Sequence, residues 1–234
     1  MRAADALIIL QARLGSVRLP GKALRRVAGR TMLSRCLERL LASGAAPLVL
    51  ATTARVEDDV LEEEASAQGV PTLRGADADV LGRFAQVVDV LRPTYVIRAT
   101  ADNPAVDTDA PARVLAHLRT GAVDYVVERG LPVGCAVEGM RAHALSVAAG
   151  RATDAYDREH VTPFLKREEQ PFRRFEPWAP VAIRRPDLRF TVDTAEDLDF
   201  MNDVLLRAGG TSARVPLHGI IRAADRVLGR KDVA

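Results

Sequence analysis

Short apolar segments and helix-like segments alternate along the first half of the chain. Five segments have the apolar composition expected of strands: 6–11, 47–51, 70–73, 95–99 and 124–128. Apolar positions recur at helical spacing in the segments between them: 32–43, 57–68, 78–91 and 109–119. This alternation predicts βαβ units, and therefore a largely parallel sheet with helices on both faces.

The second half of the chain follows the alternation less closely. Two further segments are strand-like: 136–140 and 188–192. Helices are predicted at 141–150, 158–167, 195–207 and 216–228. The stretch 171–186 is rich in proline, which favours an irregular excursion within the domain. Because the sequence contains no internal repeat, residues 1–234 are predicted to form one domain of the α/β class.

Length and composition exclude several classes of protein. With 234 residues, 48% of them apolar, the chain can bury a core and is not intrinsically disordered. A formal net charge of only +2 argues against a dedicated nucleic-acid binder. The two cysteines, Cys36 and Cys135, are too few for a disulfide framework and have no zinc-site spacing. No apolar segment reaches the roughly 18 residues that cross a bilayer, and we expect a cytoplasmic protein with no membrane partner.

The clearest chemical signal is the loop QARLGSVRLPGK at residues 11–22, directly after the first predicted strand. Ligands of open α/β sheets bind beyond the carboxyl ends of strands, so this loop is well placed for one. Gly15 and Ser16 allow backbone N–H groups to turn toward an anion, and Arg13, Arg18 and Lys22 add three cations. These features suit a triphosphate, whereas the alternative is a surface loop with solvated arginines.

Two better-known phosphate-binding loops are excluded by spacing. A Walker A loop has four residues between its glycine and its Gly-Lys pair, but five residues separate Gly15 from Gly21. Ala23 also replaces the Ser or Thr that would bind magnesium. The GxGxxG pattern of dinucleotide-binding folds is absent.

Two aspartates follow predicted strands at comparable positions. Asp102 comes after the strand at 95–99, and Asp193 comes after the segment 188–192. Carboxylates at the ends of neighbouring strands can together hold a hard cation such as Mg²⁺, which also bridges phosphate oxygens. The alternative is that each aspartate caps a helix, although Thr194 could cap the later helix and leave Asp193 available.

The loop and five further segments, taken in order, resemble the cytidylyltransferase family that includes CMP-3-deoxy-manno-octulosonate synthetase, and most of all its spore-coat polysaccharide branch. The five segments are ATT at 51–53, RGADADVLGRF at 74–84, RATADNP at 98–104, EHVTP at 159–163 and TVDTAEDL at 191–198. The resemblance covers about residues 6–205. It implies a GT-A-like, Rossmann-like α/β/α sandwich that binds CTP and Mg²⁺ in one cleft.

The resemblance also implies roles for individual residues. Metal binding falls to Asp102 and Asp193, which act in catalysis together with Arg13 and Lys22. The implied nucleotide-binding residues are Gln11, Ala12, Arg13, Gly15, Ser16, Arg18, Lys22, Thr52, Arg74, Gly75, Asp79, Arg83 and Thr100. The implied acceptor-binding residues are Arg98, Glu138 and His160. For Asp79 and Arg83 a structural role in the following helix is the alternative, and for His160 a structural hydrogen bond.

The acceptor side departs from the family pattern. Val133 and Ala136 stand where related sequences often carry aspartates, within a variable acceptor or dimerisation region at about 129–187. The basic stretch 166–189 contains aromatic residues that could suit RNA, but acidic residues interrupt it, which favours a solvated or dimer-forming face.

The expected activity is the transfer of CMP from CTP to a small acidic or sugar-like acceptor, with release of pyrophosphate, by a protein that forms a homodimer. One alternative is a glycosyltransferase on the same fold, for which Asp107-Thr-Asp109 is formally an Asp-Xaa-Asp metal motif. A second alternative is a non-catalytic nucleotide-binding module.

Overall fold

A seven-stranded sheet forms the centre of the protein, which is described by a computed structural model for residues 4–210 and 212–230. Its strands are β1 (Ala6–Gln11), β4 (Leu48–Thr53), β5 (Thr72–Gly75), β6 (Tyr95–Thr100), β7 (Tyr125–Val127), β8 (Glu138–Arg141) and β9 (Arg174–Phe175). The remaining two strands, β2 (Arg26–Val27) and β3 (Arg30–Thr31), form a small separate hairpin. The order across the sheet is β5-β4-β1-β6-β8-β7-β9. Only β8 runs against its neighbours, so the prediction of a mostly parallel sheet is confirmed.

Nine α-helices accompany the strands within the described part of the chain. They are α1 (Met32–Ser43), α2 (Asp59–Ser66), α3 (Val80–Leu91), α4 (Ala110–Arg119), α5 (Ala142–Arg151), α6 (Ala155–His160), α7 (Pro163–Lys166), α8 (Ala195–Arg207) and α9 (Leu217–Val227). The first, second and fourth pack on one face of the sheet, and α3, α5 and α7 pack on the other. Among the described residues, no helix combines the length and the apolar character needed to cross a membrane.

The central strand β1 shows why the sheet is buried on both faces. Ile8 and Leu10 point into the apolar cluster under α1, whereas Leu7 and Ile9 point into the cluster under α3. All four side chains are at most 3% exposed. Because successive strand residues face opposite sides, only a continuous apolar run can fill both clusters, which explains the ALIIL sequence.

The parallel register brings three strand ends to one edge of the sheet. Gln11, the last residue of β1, lies opposite Ala51 of β4 and Thr100 of β6. The loops that leave β1 and β6 therefore start side by side. This edge is where the candidate site lies.

Two predicted elements are wrong. Residues 188–192 do not form a strand of the sheet. Their backbone pairs with the irregular loop around Val133, through Val133 N to Leu188 O (2.9 Å) and Phe190 N to Val133 O (2.8 Å). Since Pro132 and Gly134 flank Val133, this loop does not offer a regular edge for a strand to extend along.

The helix predicted at 158–167 is two short helices, α6 and α7. The helix ends before Val161, because the φ of 71° at this residue is incompatible with a continuing α-helix. Pro163 then starts α7 at the position where a missing backbone N–H costs nothing.

Candidate active site

A cavity of about 370 Å³ opens at the carboxyl edge of the sheet. It is bounded by the loop after β1, the start of α3, the end of β6 and the end of α6. Its lining residues are Gln11, Ala12, Arg13, Gly15, Ser16, Val17, Arg18, Lys22, Ala23, Val80, Arg83, Arg98, Thr100, Ala101, Asp102, Glu159, His160 and Asp193.

The loop after β1 is fixed at both of its ends. At its start, the buried carboxylate of Asp58 accepts a hydrogen bond from the backbone N–H of Leu14 at 2.9 Å. The same carboxylate accepts the hydroxyl of Thr53 at 2.5 Å, so it ties the loop to the end of β4. At its end, Gly21 has a φ of 65°, a conformation that glycine adopts without steric cost. The turn at Gly21 directs Lys22 back toward the cavity.

The ammonium group of Lys22 brings together the two aspartates singled out in the sequence. Its Nζ donates to Asp102 Oδ2 at 3.2 Å, to Asp193 Oδ1 at 3.1 Å and to the carbonyl of Val192 at 3.2 Å. Three acceptors match the three N–H donors of an ammonium group. Two carboxylates from distant parts of the chain therefore converge on one cationic atom.

Two arginines also neutralise Asp193. Arg18 Nη2 lies 2.9 Å from Asp193 Oδ1, and Arg189 Nη2 lies 2.6 Å from Asp193 Oδ2. Partial burial raises the pKa of Asp193, but the hydrogen bond and charge of Lys22, followed by the charges of the two arginines, outweigh it and lower the pKa. Asp193 is therefore ionised at neutral pH.

The backbone around Asp193 is held by the start of α8. The hydroxyl of Thr194 accepts from Asp197 N at 3.2 Å, and the carboxylate of Asp197 accepts from the N–H groups of Asp193 and Thr194. This reciprocal capping box satisfies the free N–H groups at the helix start. The prediction that Thr194 caps this helix is confirmed, and the Asp193 carboxylate faces the cavity instead.

Asp102 is held by the turn after β6. Its Oδ1 accepts a hydrogen bond from the Thr100 hydroxyl, with an oxygen–oxygen distance of 2.5 Å. Asn103 Nδ2 in turn donates to that hydroxyl oxygen at 2.7 Å. Val192 N donates to the carbonyl of Asp102 at 2.9 Å, which fixes the two aspartate-bearing segments to each other.

Arg13 spans the other side of the cavity. Its guanidinium donates to Asp77 Oδ1 at 2.9 Å and to Glu159 Oε1 at 3.1 Å. Both contacts are partly exposed, so each is weak and can be exchanged for a stronger anion.

A buried polar network lies behind the cavity wall around Glu138. Arg98, Lys166, Tyr125 and Thr162 all donate to its carboxylate. Burial alone raises the pKa of Glu138, but the charges of Arg98 and Lys166, with the hydrogen bonds, outweigh it and lower the pKa to about 2. Arg98 also donates to Gln11 Oε1 at 3.1 Å, so it connects this network to the cavity.

A strained turn follows His160 at the end of α6. Val161 has φ 71° and ψ −54°, and Thr162 N donates to the carbonyl of His160 at 2.8 Å. This is a γ-turn with a β-branched residue at its centre, a conformation that is rare and strained. It allows His160 to face the cavity while Thr162, two residues later, contacts Glu138.

Most of the predicted site residues are brought together. The cavity lining includes Gln11, Ala12, Arg13, Gly15, Ser16, Arg18, Lys22, Arg83, Arg98, Thr100, Asp102, His160 and Asp193. The remaining predicted residues lie outside the lining: Thr52, Arg74, Gly75, Asp79 and Glu138.

The structure gives each of those outside residues a contact away from the cavity. The hydroxyl of buried Thr52 points at Asp58, and Arg74 binds Thr53 O together with Asp59 of α2. Gly75 packs against the side chain of Arg83 so closely that an added Cβ would lie 2.9 Å from it. Asp79 caps α3 by accepting from Gly82 N at 2.8 Å.

Arg83 combines a structural and a cavity-facing position. The residue is 3% exposed and donates to the carbonyls of Ala76 and Asp77 in the turn before α3. Among the described residues, no acceptor lies within hydrogen-bond reach of its Nε. It therefore shapes the turn and also borders the cavity.

Sequence reasoning missed three acidic residues. Asp58 fixes the loop after β1, and Asp77 and Glu159 hold Arg13. Glu159 lies inside the EHVTP motif and Asp77 inside RGADADVLGRF, but neither motif shows that they hold Arg13, and Asp58 lies outside the motifs, with its partner Leu14 44 residues away.

The lining could hold a metal ion only with help from a ligand. Among residues 4–210 and 212–230, no three His, Cys, Asp or Glu side chains gather into a metal site. Asp102 and Asp193 supply two oxygens that converge on one point, and phosphate oxygens and water can complete the six-fold shell that Mg²⁺ requires.

Comparison with known proteins agrees with this geometry. The family model described as "Cytidylyltransferase" matches residues 7–214. The chain belongs to the cytidylyltransferase family. It is 34% identical to the spore coat polysaccharide biosynthesis protein SpsF of Bacillus subtilis, over 88% of each chain.

Two solved structures share the fold of this cytidylyltransferase family member. A cytidylyltransferase from Leptospira borgpetersenii superposes with a TM-score of 0.88 at 25% identity, covering 98% of this chain and 99% of the other. CMP:2-keto-3-deoxy-manno-octonic acid synthetase, solved with CTP, superposes with a TM-score of 0.65 at 18% identity, covering 86% and 98%. At that identity the second likeness concerns the fold alone. The Rossmann-like α/β expectation is confirmed.

Proposed function

We propose that the protein transfers CMP from CTP to a small acidic or sugar-like acceptor and releases pyrophosphate. One observation carries the proposal: the cationic loop after β1 faces Asp102 and Asp193 across a single cavity, with Lys22 in contact with both. A polyphosphate and a divalent cation both find partners there.

The charge of the cavity supports this assignment. Five cationic side chains and three carboxylates line it, for a net charge of +2 with His160 neutral. A nucleoside triphosphate with one bound magnesium ion carries about two negative charges, so the two are complementary. Arg13 and Arg18 hold their present carboxylate partners at partly exposed positions, and a phosphate competes well for such contacts.

Asp102 and Asp193 would hold the magnesium ion, with phosphate oxygens as further ligands. When bound, the metal would neutralise phosphate charge and polarise the phosphorus–oxygen bonds. The protein's own residues align the reactants: Arg13 and Lys22 stabilise the charge that grows on the leaving pyrophosphate, and the backbone N–H of Gly15 is a further donor. The N–H of Ser16, which the sequence also suggested, instead donates to the carbonyl of Leu14 at 2.7 Å.

The acceptor attacks the α-phosphorus directly, without a covalent protein intermediate. Neither cysteine lines the cavity, and burial raises the pKa of both thiols, that of Cys36 to about 12. A buried protonated thiol is a poor nucleophile. We assign the acceptor to the side bounded by Arg98 and His160, next to the Glu138 network.

The glycosyltransferase alternative would require the Asp-Thr-Asp sequence at 107–109 to bind a metal ion in the cavity, but these residues lie elsewhere. Asp107, the first residue of the Asp-Thr-Asp sequence, is buried and pairs with Arg113 at 2.5 Å. Neither Asp107 nor Asp109 lines the cavity. No observation favours a non-catalytic nucleotide-binding module, because both the cations and the carboxylates of a catalytic site are present.

The test is a pyrophosphate-release assay with each of the four nucleoside triphosphates against a panel of sugar acids, amino sugars and phosphonates, with and without Mg²⁺. We expect release only with CTP, Mg²⁺ and one class of acceptor. Release of a nucleoside diphosphate from a sugar nucleotide, with no pyrophosphate, would establish the glycosyltransferase alternative instead.

The companion variant is Asp102→Asn. We expect it to lower kcat by at least about 100-fold while the thermal unfolding midpoint stays within a few degrees, because the amide keeps the shape but loses the metal-binding charge. The matched control is Asp109→Asn, an aspartate at a helix start outside the cavity, which should retain activity. Full activity of Asp102→Asn would refute the assignment.

A further inference from the structure

The two carboxylates proposed to bind the metal, those of Asp102 and Asp193, already contact a cationic group of the protein, the ammonium group of Lys22. Lys22 Nζ lies 3.2 Å from Asp102 and 3.1 Å from Asp193, between the two oxygens that a divalent ion would need. The third donor of the ammonium group is used by the carbonyl of Val192. A metal ion and this ammonium group cannot occupy the same place.

The surroundings oppose a free divalent cation more strongly still. Arg18 and Arg189 both contact Asp193, so three cationic groups surround its carboxylate, and Asp197 lies behind Arg189 at 3.7 Å. The site is also partly buried, with Lys22 and Asp193 side chains only 17% and 15% exposed. The Lys22–Asp193 pair is therefore screened less than a surface pair, and a bare metal ion could reach the two carboxylates only by displacing the ammonium group of Lys22.

A metal that arrives bound to a polyphosphate meets the reverse situation. The phosphates offer Lys22 and Arg18 new anionic partners, and the two aspartates are then available to the ion that the phosphates carry. Every charged group exchanges one partner of opposite sign for another. Because no carboxylate or ammonium group is left buried and unpaired at the end, the exchange carries no large desolvation penalty.

We infer that Lys22 excludes free divalent cations, so that the metal enters and leaves this site only as a complex with the nucleotide or with pyrophosphate. The inference rests on the proposed function for the identity of the nucleotide. Lys22 then has two successive sets of partners, the aspartates before binding and the phosphates after it.

The experiment is a titration of the purified protein with Mn²⁺, followed by electron paramagnetic resonance of the free ion. Mn²⁺ serves as the probe because it takes the same oxygen ligands as Mg²⁺. For the wild-type protein we expect no binding tighter than about 1 mM by Mn²⁺ alone, and tight binding once a non-hydrolysable CTP analogue is added. Binding of Mn²⁺ alone as tightly as with the analogue would overturn the inference.

The decisive variant is Lys22→Met, which keeps the length of the side chain and removes its charge. It should bind Mn²⁺ alone at least about ten-fold more tightly than the wild type, because the carboxylates then lack their cation. Lys22→Arg retains the charge and should still exclude the ion. Lys166→Met is the matched control, since Lys166 contacts Glu138 outside the cavity lining and should leave Mn²⁺ binding unchanged.

The outcomes separate the two proposals. If the CTP analogue fails to bind, the proposed function fails, while the comparison of Mn²⁺ alone with wild type and Lys22→Met still judges the role of Lys22. If Lys22→Met shows no native circular dichroism, the wild-type titrations and Lys22→Arg decide. Equal Mn²⁺ affinity of folded wild type and Lys22→Met would refute the role of Lys22.

Discussion

Glu138 is a buried carboxylate whose charge is stabilised by Arg98 and Lys166, and this sets its effect on stability. Its pKa is lowered from an ordinary value of 4.5 to about 2. The stabilisation is therefore present in full above pH 4.5 and is lost as the pH falls toward 2. We expect Glu138→Gln to lower the free energy of unfolding by about 3 kcal/mol at pH 7 and by much less near pH 2.5. Urea denaturation across this pH range measures the difference.

The matched control for Glu138 is Glu196→Gln at the exposed start of α8. Glu196 is exposed and is not part of a buried ion pair, so the free energies of unfolding of Glu196→Gln and the wild type should differ little at every pH. A difference between wild type and Glu138→Gln that does not shrink in acid would contradict the assigned charge state.

Val161 carries backbone strain, which should reverse the usual order of stability between a glycine and an alanine substitution. Glycine relieves a positive φ whereas alanine does not, so Val161→Gly should be more stable than Val161→Ala by about 1 kcal/mol. At Val114, a buried valine inside α4, the usual order should hold and glycine should be the less stable by about 1 kcal/mol. Urea denaturation of the four variants measures both differences, and the same order at both positions would contradict strain at Val161.

The strain at Val161 also has an expected consequence for activity. Because the turn fixes His160 at the cavity and Thr162 at Glu138, freeing it should raise the KM for the acceptor more than the KM for the nucleotide. Steady-state kinetics of Val161→Gly measure the two constants. Equal changes in both would indicate a general loss of structure.

At the scale of elements, the start of α8 couples helix stability to the site. Thr194→Ala removes the side-chain cap and should lower the free energy of unfolding by about 1 kcal/mol. Thr31→Ala removes the cap of α1, where Thr31 accepts from Ser34 N, and should cost a similar amount.

The two cap variants should differ in catalysis. Asp193 directly precedes Thr194 and lines the cavity, whereas Thr31 does not line it. We therefore expect only Thr194→Ala to lower kcat/KM beyond what its lost stability explains, by about ten-fold. Equal activity of the two variants at a temperature where both are folded would show that the cap does not position Asp193.

Secondary structure was predicted well where the pattern alone decides it. The strand Ala6–Gln11 and the helices Met32–Ser43 and Ala195–Arg207 were predicted at their observed bounds. The helix expected at 158–167 failed because a strained γ-turn interrupts it. No propensity predicts a β-branched residue with positive φ, since the surrounding packing imposes that conformation.

At the scale of the whole molecule, both cysteines report on global unfolding. Cys36 and Cys135 are at most 1% exposed, and burial raises the pKa of Cys36 to about 12. We expect a thiol reagent at pH 8 to react with neither cysteine in the native protein and with both in urea. The labelling rate should follow the unfolding equilibrium measured by circular dichroism. Rapid labelling of the native protein would show that the apolar cluster around one of the two cysteines opens locally.

The sequence by itself determined the layered architecture and the chemistry of the first loop. Short continuous apolar runs fit strands that are buried on both faces of a sheet, and their alternation with helices predicts mostly parallel strands. The three cations of the loop after β1 lie within ten residues of one another, so the sequence alone shows that the loop is basic. Asp102 and Asp193 were also singled out as candidate metal ligands, because each follows an apolar segment and lies within a motif, although the segment before Asp193 is not a strand of the sheet.

Only the tertiary structure decided which partner each of these groups has. Lys22 contacts Asp102 and Asp193 across 80 and 171 residues of sequence, and Asp58 holds the loop from 44 residues away. The same folding turned Arg74, Thr52 and Asp79 toward structural partners although their motifs resemble those of nucleotide-binding segments. A side chain's type is a local property, but its partner depends on the register of the sheet and on how the loops close over its edge.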